Sequence, residues 1–259
     1  MTLNPIIEES INLHFRTHQF KVLHGVYIGA MAIVTVLLWP SRGFMEFFST
    51  QTVPAAFEAI AIFQLIALSG ISISVGLDRL AGSEIIRYSE WLERTRLPVR
   101  KLLVGKLIAA VIHTVVLIAI GSPFLYVSAG PAGIPVRAVI SAQWVMFLVA
   151  MFCRMVGLFI SLVGESREVL RITGSWVFLA LLYLGTIQVF QPLNPIIAVV
   201  RQQNEASPLV STVDPVPFSL HPAVPSSAYL LSGIILVVVA FGTAMYRHRS
   251  RAAKRGGYG

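Results

Sequence analysis

A chain of 259 residues that is 56% hydrophobic and only 12% charged cannot clothe a water-soluble globule, which draws on roughly 25% charged residues. The bilayer is its main solvent, and apolar runs that are continuous rather than alternating predict spanning helices instead of a β-barrel. The formal charge of +8 gathers at the ends of those runs, where it sets orientation and addresses anionic lipid rather than nucleic acid; the single cysteine, Cys153, excludes an intramolecular disulfide and a cysteine-based metal site.

The first twenty residues are polar and amphipathic, and no small-residue cleavage pattern follows the first apolar run. That run is expected to be a retained span, not a signal peptide. Within residues 4–20, Asn4 can cap a helix with Pro5 at its first position. Leu3, Ile7, Ile11 and Phe15 repeat every four residues, with Glu8, Glu9 and Arg16 elsewhere on the wheel. The pattern predicts an interfacial helix lying along the membrane.

Six spans are expected, at 22–39, 53–77, 103–127, 139–163, 172–190 and 228–246. They define an all-α integral membrane fold: a single transmembrane domain with an amphipathic segment 1–21, a bundle 22–246 and a basic tail 247–259. Trp39, Tyr126, Trp144 and Tyr246 fall toward span ends, as interfacial aromatics do. Pro123 should kink or end the third span. With both termini inside, sixteen Lys and Arg lie on the inner side against three outside (Arg42, Arg137 and Arg201), a bias that sets N-in, C-in. Of the outer segments, 40–52 and 128–138 are short, and the second is rich in turn formers at Gly130, Pro131, Gly133 and Pro135. Segment 191–227 is long and proline-rich; its Ile-Ile-Ala-Val-Val run is too short to span, and a re-entrant helix and a plain external loop fit it equally.

No nucleotide or catalytic constellation is present. Gly105-Lys106 lacks the upstream glycine and the Ser/Thr of a phosphate-binding loop, Gly174-Ser175 lacks the rest of a nucleophile elbow, and no His-Glu-x-x-His occurs. With only Asp78 and Asp214, a multi-aspartate metal site for phosphoryl transfer is excluded. Polar groups inside the spans draw attention instead, because burying them in lipid is costly. Glu58 lies about 7 Å into the second span, Gln64 and His113 near mid-depth, and Arg154 about 13 Å above the inner end of the fourth span. One reading gathers Gln64, His113 and Arg154 into a polar cluster facing a cavity or a subunit interface. The other has Arg154 snorkelling to the head groups while His113 bonds a neighbouring helix.

Charge is concentrated in the loop 78–106, which holds seven of the twenty Lys and Arg residues. Ser83 can cap a short helix over 83–96 with Glu84 in its first turn. Ile85, Tyr88 or Ser89, and Leu92 share one side, while Arg87, Glu90, Glu93 and Arg94 spread over the other. Glu90 and Arg94 form an i,i+4 pair in the favourable order. Pro98 ends the element, and Arg100 and Lys101 mark the membrane boundary. Mixed charge beside Trp91 suits a protein interface better than bare solvent.

An amphipathic N-terminal helix, six spans and a cytoplasmic loop ending LPVRKLLVGK together resemble the membrane subunits of ABC-2 type ABC exporters. Leu97-Pro98-Val99-Arg100 and Gly105-Lys106 match the family's stretch entering the third span, and Ser166-Arg167-Glu168 and Leu193-Asn194-Pro195 resemble recurring family positions. The similarity covers most of residues 4–200. Leu97 stands where the family usually has Thr, and its acidic E-x-G-T pattern is replaced by Arg87-Tyr88-Ser89-Glu90.

The resemblance implies a permease of a bacterial or archaeal inner membrane, exporting an apolar or amphipathic molecule. Two such subunits, alike or different, would pair, and two copies of an ATP-binding subunit would dock on them. ATP and Mg would be held by that partner, with no cofactor or metal in this chain. The 83–96 helix would be the coupling helix, presenting Glu84, Arg87, Glu90, Trp91, Glu93, Arg94 and Arg96 to the ATPase. The N-terminal helix would be the connecting helix, and 191–227 would carry short re-entrant helices near the exit. An integral-membrane lipid-modifying enzyme and a non-transporting scaffold are the alternatives.

Overall fold

The computed structural model describes residues 12, 16–38, 52–76, 99–163, 168–185, 194–196, 199, 231–232, 234–235 and 238–239. Among them every regular element is helical: α1 (His18–Leu37), α2 (Thr52–Gly76), α3 (Val99–Ala129), α4 (Val136–Val163) and α5 (Glu168–Ala180), which runs on into a π-helical turn, Leu181–Gly185. This is the structure that lipid imposes on long apolar runs, because hydrocarbon offers no partner to a backbone N–H or C=O and the helix satisfies each one internally.

Four stretches are long and apolar enough to cross a membrane: His18–Leu37, Ala56–Gly76, Leu107–Ala129 and Val136–Ile160. The chain is thus a multi-pass, all-helical membrane protein. The fifth expected span is represented by a shorter apolar helix, Ile172–Leu184. Of the sixth, residues 231, 232, 234, 235, 238 and 239 are helical. Most of the expected interfacial helix and all of 83–96 lie outside the described residues.

Three boundaries differ from the sequence-based expectation. Thr17 adopts extended backbone (φ −70°, ψ 134°), so residues 18–20 belong to the first spanning helix and not to an interfacial one. Proline fails to stop α3, which continues six residues past Pro123 to Ala129. The turn is supported from the side: Ser122 Oγ donates to the Ile118 carbonyl at 2.8 Å, and Gln143 Nε2 of α4 donates to that hydroxyl at 3.0 Å. Local hydroxyls and neighbouring helices commonly make a proline tolerable inside a membrane helix.

The link between α3 and α4 is shorter than 128–138, because the helices extend to Ala129 and resume at Val136. Gly133 takes φ +65°, a conformation that glycine adopts without the Cβ clash. Ile134 N–H reaches back to the Ala129 carbonyl at 3.1 Å and Gly133 N–H to that of Gly130 at 3.1 Å. This is a Schellman closure, and it satisfies carbonyls that the helix end leaves open.

α2 and α4 run in the same direction and form the most extensive contact, and α2 also packs on α1, α3 and α5. The two helices meet backbone to backbone at Gly76 and Gly157. A Cβ on Gly76 would stand 2.5 Å from the Arg154 carbonyl oxygen and 3.1 Å from the Gly157 Cα; one on Gly157 would stand 2.5 Å from the Ile73 carbonyl oxygen. Small residues at such crossings let membrane helices gain van der Waals contact in a solvent as apolar as their own side chains. Above the crossing, the α2–α4 seam is filled by Leu65, Leu68, Ile73, Val149, Ala150 and Cys153, all buried. Val26, Ile33 and Val36 of α1 and Trp176, Leu181 and Leu184 of α5 are exposed, as side chains facing hydrocarbon are.

Gly76→Ala is expected to destabilise the bundle by about 1–3 kcal/mol, because the neighbours of the new methyl are backbone atoms that cannot rotate away. Gly25, with nothing within 4 Å of its added Cβ, is the control: its change to Ala should be neutral or stabilising by up to about 1 kcal/mol through helix propensity. Thermal unfolding of the two variants in detergent checks the contrast.

Candidate functional site

Arg154 is the one ionised side chain that the apolar run of α4 buries deeply, at 5% exposure. It does not reach along the helix toward head groups. Its Nη1 meets Nδ1 of His113, on α3, at 2.9 Å. A guanidinium has donors only, so His113 Nδ1 is the acceptor and the imidazole is neutral. The His113 ring is held edge-on by two rings of α1: Phe20 at 5.7 Å with an interplanar angle of 89°, and His24 at 5.4 Å with 86°. His24 Nδ1 in turn lies 2.6 Å from the Phe20 carbonyl oxygen. Three helices thus converge on one basic group, each supplying a different kind of contact.

Gln64 does not join this group. It is fully buried on α2 and faces Gly121 of α3, together with the hydroxyl of Tyr27 from α1. A Cβ on Gly121 would lie 2.3 Å from Gln64 Nε2 and 2.4 Å from the Tyr27 oxygen; the glycine is what admits both polar ends. Gly121 is eight residues beyond His113 on α3, which places this second polar level roughly 12 Å along the bundle from the first. Ser72 lies eight residues from Gln64 on antiparallel α2, back toward the Arg154 level, with its hydroxyl buried and, among the described residues, without a partner.

A third group lies on the other side of α2. Ser69 Oγ donates to the Leu65 carbonyl at 2.9 Å and receives the Tyr183 hydroxyl at 2.6 Å. Tyr183 sits in the π-helical turn, where the bonds shift from the α to the i→i+5 register, and its carbonyl takes Asn194 Nδ2 at 2.9 Å. Asn194 Oδ1 accepts the Ile196 N–H at 2.9 Å. Asn194 therefore acts as an N-cap ahead of Pro195, the residue best suited to a first helical position. Asn194 and Val199 are both fully buried, so the start of the segment opening at 194 is tucked against the bundle.

Of the three residues that could have formed one polar cluster, His113 and Arg154 are in contact, while Gln64 occupies its own level. Glu58 is half-buried on α2, six residues from Gln64 toward Thr52. The docking residues Glu84, Arg87, Glu90, Trp91, Glu93, Arg94 and Arg96 lie outside the described residues. Sequence reasoning passed over Tyr27, His24, Ser69 and Tyr183. Phe20, His24, Tyr27 and Met31 recur at helical spacing along one stripe of α1, a signal that was readable as an inward face. Tyr183 had no such signal, because it depends on the π turn.

Among the described residues no three His, Cys, Asp or Glu side chains come together to hold a metal ion. The chemistry this arrangement offers is hydrogen bonding and one buried positive charge, with no nucleophile activated by a base. No protein-family model matches the chain, and no curated protein matches it.

The Arg154–His113 contact is expected to couple the two positions. In a double-mutant cycle of Arg154→Met and His113→Phe, the interaction energy should fall in the range of about 0.5–3 kcal/mol, read from unfolding in mixed micelles. Asn194→Ala, which removes the cap bond to Ile196 and the bond to the Tyr183 carbonyl, should cost about 1–2 kcal/mol in the same assay.

Proposed function

We propose that this chain is the membrane-spanning half of an ATP-driven exporter of the ABC-2 type, with six spans and both termini in the cytoplasm of a bacterial or archaeal cell. It would form the path for an apolar or amphipathic substrate, pair with a second permease subunit and take its energy from two copies of a separate ATPase that holds the ATP and Mg. The observation that carries this reading is where the charged loop is attached. α2 ends at Gly76 and α3 begins at Val99, so residues 77–98 join the ends of two packed spanning helices. One of them, α2, touches each of the other four. A partner seated on Ser83–Arg96 would therefore act on the helix that, among the described residues, contacts every other one. The buried polar groups further support transport over a scaffolding role, since such groups in spans are costly and commonly serve a pathway.

Three measurements test it. The chain should co-purify with a P-loop ATPase encoded beside it, and Trp91→Ala combined with Glu90→Arg should abolish that association; full retention in the double variant overturns the loop's assignment. Lipid turnover by the isolated chain without nucleotide would instead favour an enzyme. For orientation, a cysteine replacing Lys254 should react with an impermeant maleimide only in inside-out vesicles, and one replacing Arg42 only in right-side-out vesicles, on a Cys153→Ala background.

A further inference from the structure

The polar level at Gly121 has properties that no packing role accounts for. Gln64 is 0% exposed and Tyr27 3%. The Tyr27 hydroxyl and Gln64 Nε2 both lie against the glycine and beside each other, yet among the described residues neither they nor Gln64 Oε1 completes a hydrogen bond of good geometry. Leaving a buried polar atom unsatisfied costs about 1–3 kcal/mol, and three such atoms come together here, in a span where Leu or Phe would have filled the same space. The inner level of the bundle is different in kind, since there Arg154 and His113 are bonded to each other.

We propose that Gln64 and Tyr27, over Gly121, form a binding site inside the membrane for a neutral hydroxyl oxygen, supplied either by water or by the hydroxyl of an amphipathic molecule. Gln64 Nε2 needs an acceptor and Gln64 Oε1 needs a donor, while a phenol serves as either. A hydroxyl oxygen both donates and accepts, so one such atom can bridge the amide and the phenol. The three lining residues carry no ionised side chain, and the guanidinium of Arg154 is about two helical turns away, so a charged ligand would lose its hydration without a counter-charge. Bridging oxygens of this kind commonly satisfy buried polar groups that protein atoms leave open. Gly121 is the enabling residue: a methyl there would collide with both polar ends. The site goes beyond the export reading and stands whether or not an ATPase docks on the chain.

Radiolytic hydroxyl-radical labelling tests it without reference to transport, because radiolysis makes radicals from water held at the site and these mark the side chain beside it, whereas a lipid hydroxyl that displaces the water gives none. The full chain in phosphatidylcholine nanodiscs should be oxidised at Tyr27 several-fold faster, after correction for intrinsic reactivity, than at Phe57, which is equally buried in the core. Gln64→Met keeps the length of the side chain, removes both amide atoms, and should bring Tyr27 down to the Phe57 rate; Gly121→Ala should do the same. Added diacylglycerol separates the sources: undiminished labelling means that water is the occupant, whereas suppression by diacylglycerol and not by its O-methyl ether means that an amphiphile's hydroxyl takes the site. Equal suppression by both lipids, a Tyr27 rate no higher than that of Phe57, or a rate unchanged in Gln64→Met would overturn the proposal.

Discussion

The backbone contact between Gly76 and Gly157 is the constraint on which the rest of the bundle depends. In hydrocarbon there is no hydrophobic effect to press two apolar helices together, so association rests on how closely their atoms approach. Two glycines remove the side chains from the crossing and let the carbonyls of Ile73 and Arg154 sit against the opposite helix. That approach fixes the turn of α4 carrying Arg154 and so sends its side chain across to α3. The position of the buried charge is thus a consequence of two residues that have no side chain at all.

From this crossing the polar contacts follow as a second tier of specificity. Apolar packing in lipid discriminates weakly between rotations of a helix about its axis, since each face meets a similar surroundings. Hydrogen bonds and edge-on ring contacts do discriminate. His113 orients α3 against α4, the Phe20 and His24 rings orient α1 against α3, and the Ser69–Tyr183–Asn194 chain orients α5 and the segment after it against α2. A rotation by one residue, about 100°, would break each of these contacts.

Much of the architecture was legible in the sequence. The runs of Leu, Ile, Val and Ala locate α2 and α4 to within a few residues, because a span in lipid has few ways to be anything but a helix. The exceptions have particular causes. Pro123 read as a kink or a stop because its own ring and missing N–H are visible in the sequence, whereas the support from Ser122 and from Gln143, on another helix, is not. The pairing of Arg154 with His113 could be suspected from their depth; the separation of Gln64 could not, since depth alone does not tell which faces of three helices meet. The π turn at Leu181–Gly185 has no signature in a run of apolar residues, so Tyr183 looked like one more greasy ring.

The continuity of α3 through Pro123 has a mechanical consequence. Its 31 residues make a rod of roughly 46 Å, against a hydrocarbon thickness of about 30 Å. The apolar stretch starts only at Leu107, so the first two turns, some 12 Å long by the same rise, extend beyond it at the Val99 end. A helix that had broken at its proline would absorb a tilt at the break. One that runs on through it keeps both halves in a single element, so a displacement of the Val99 end is passed along the helix toward Ala129.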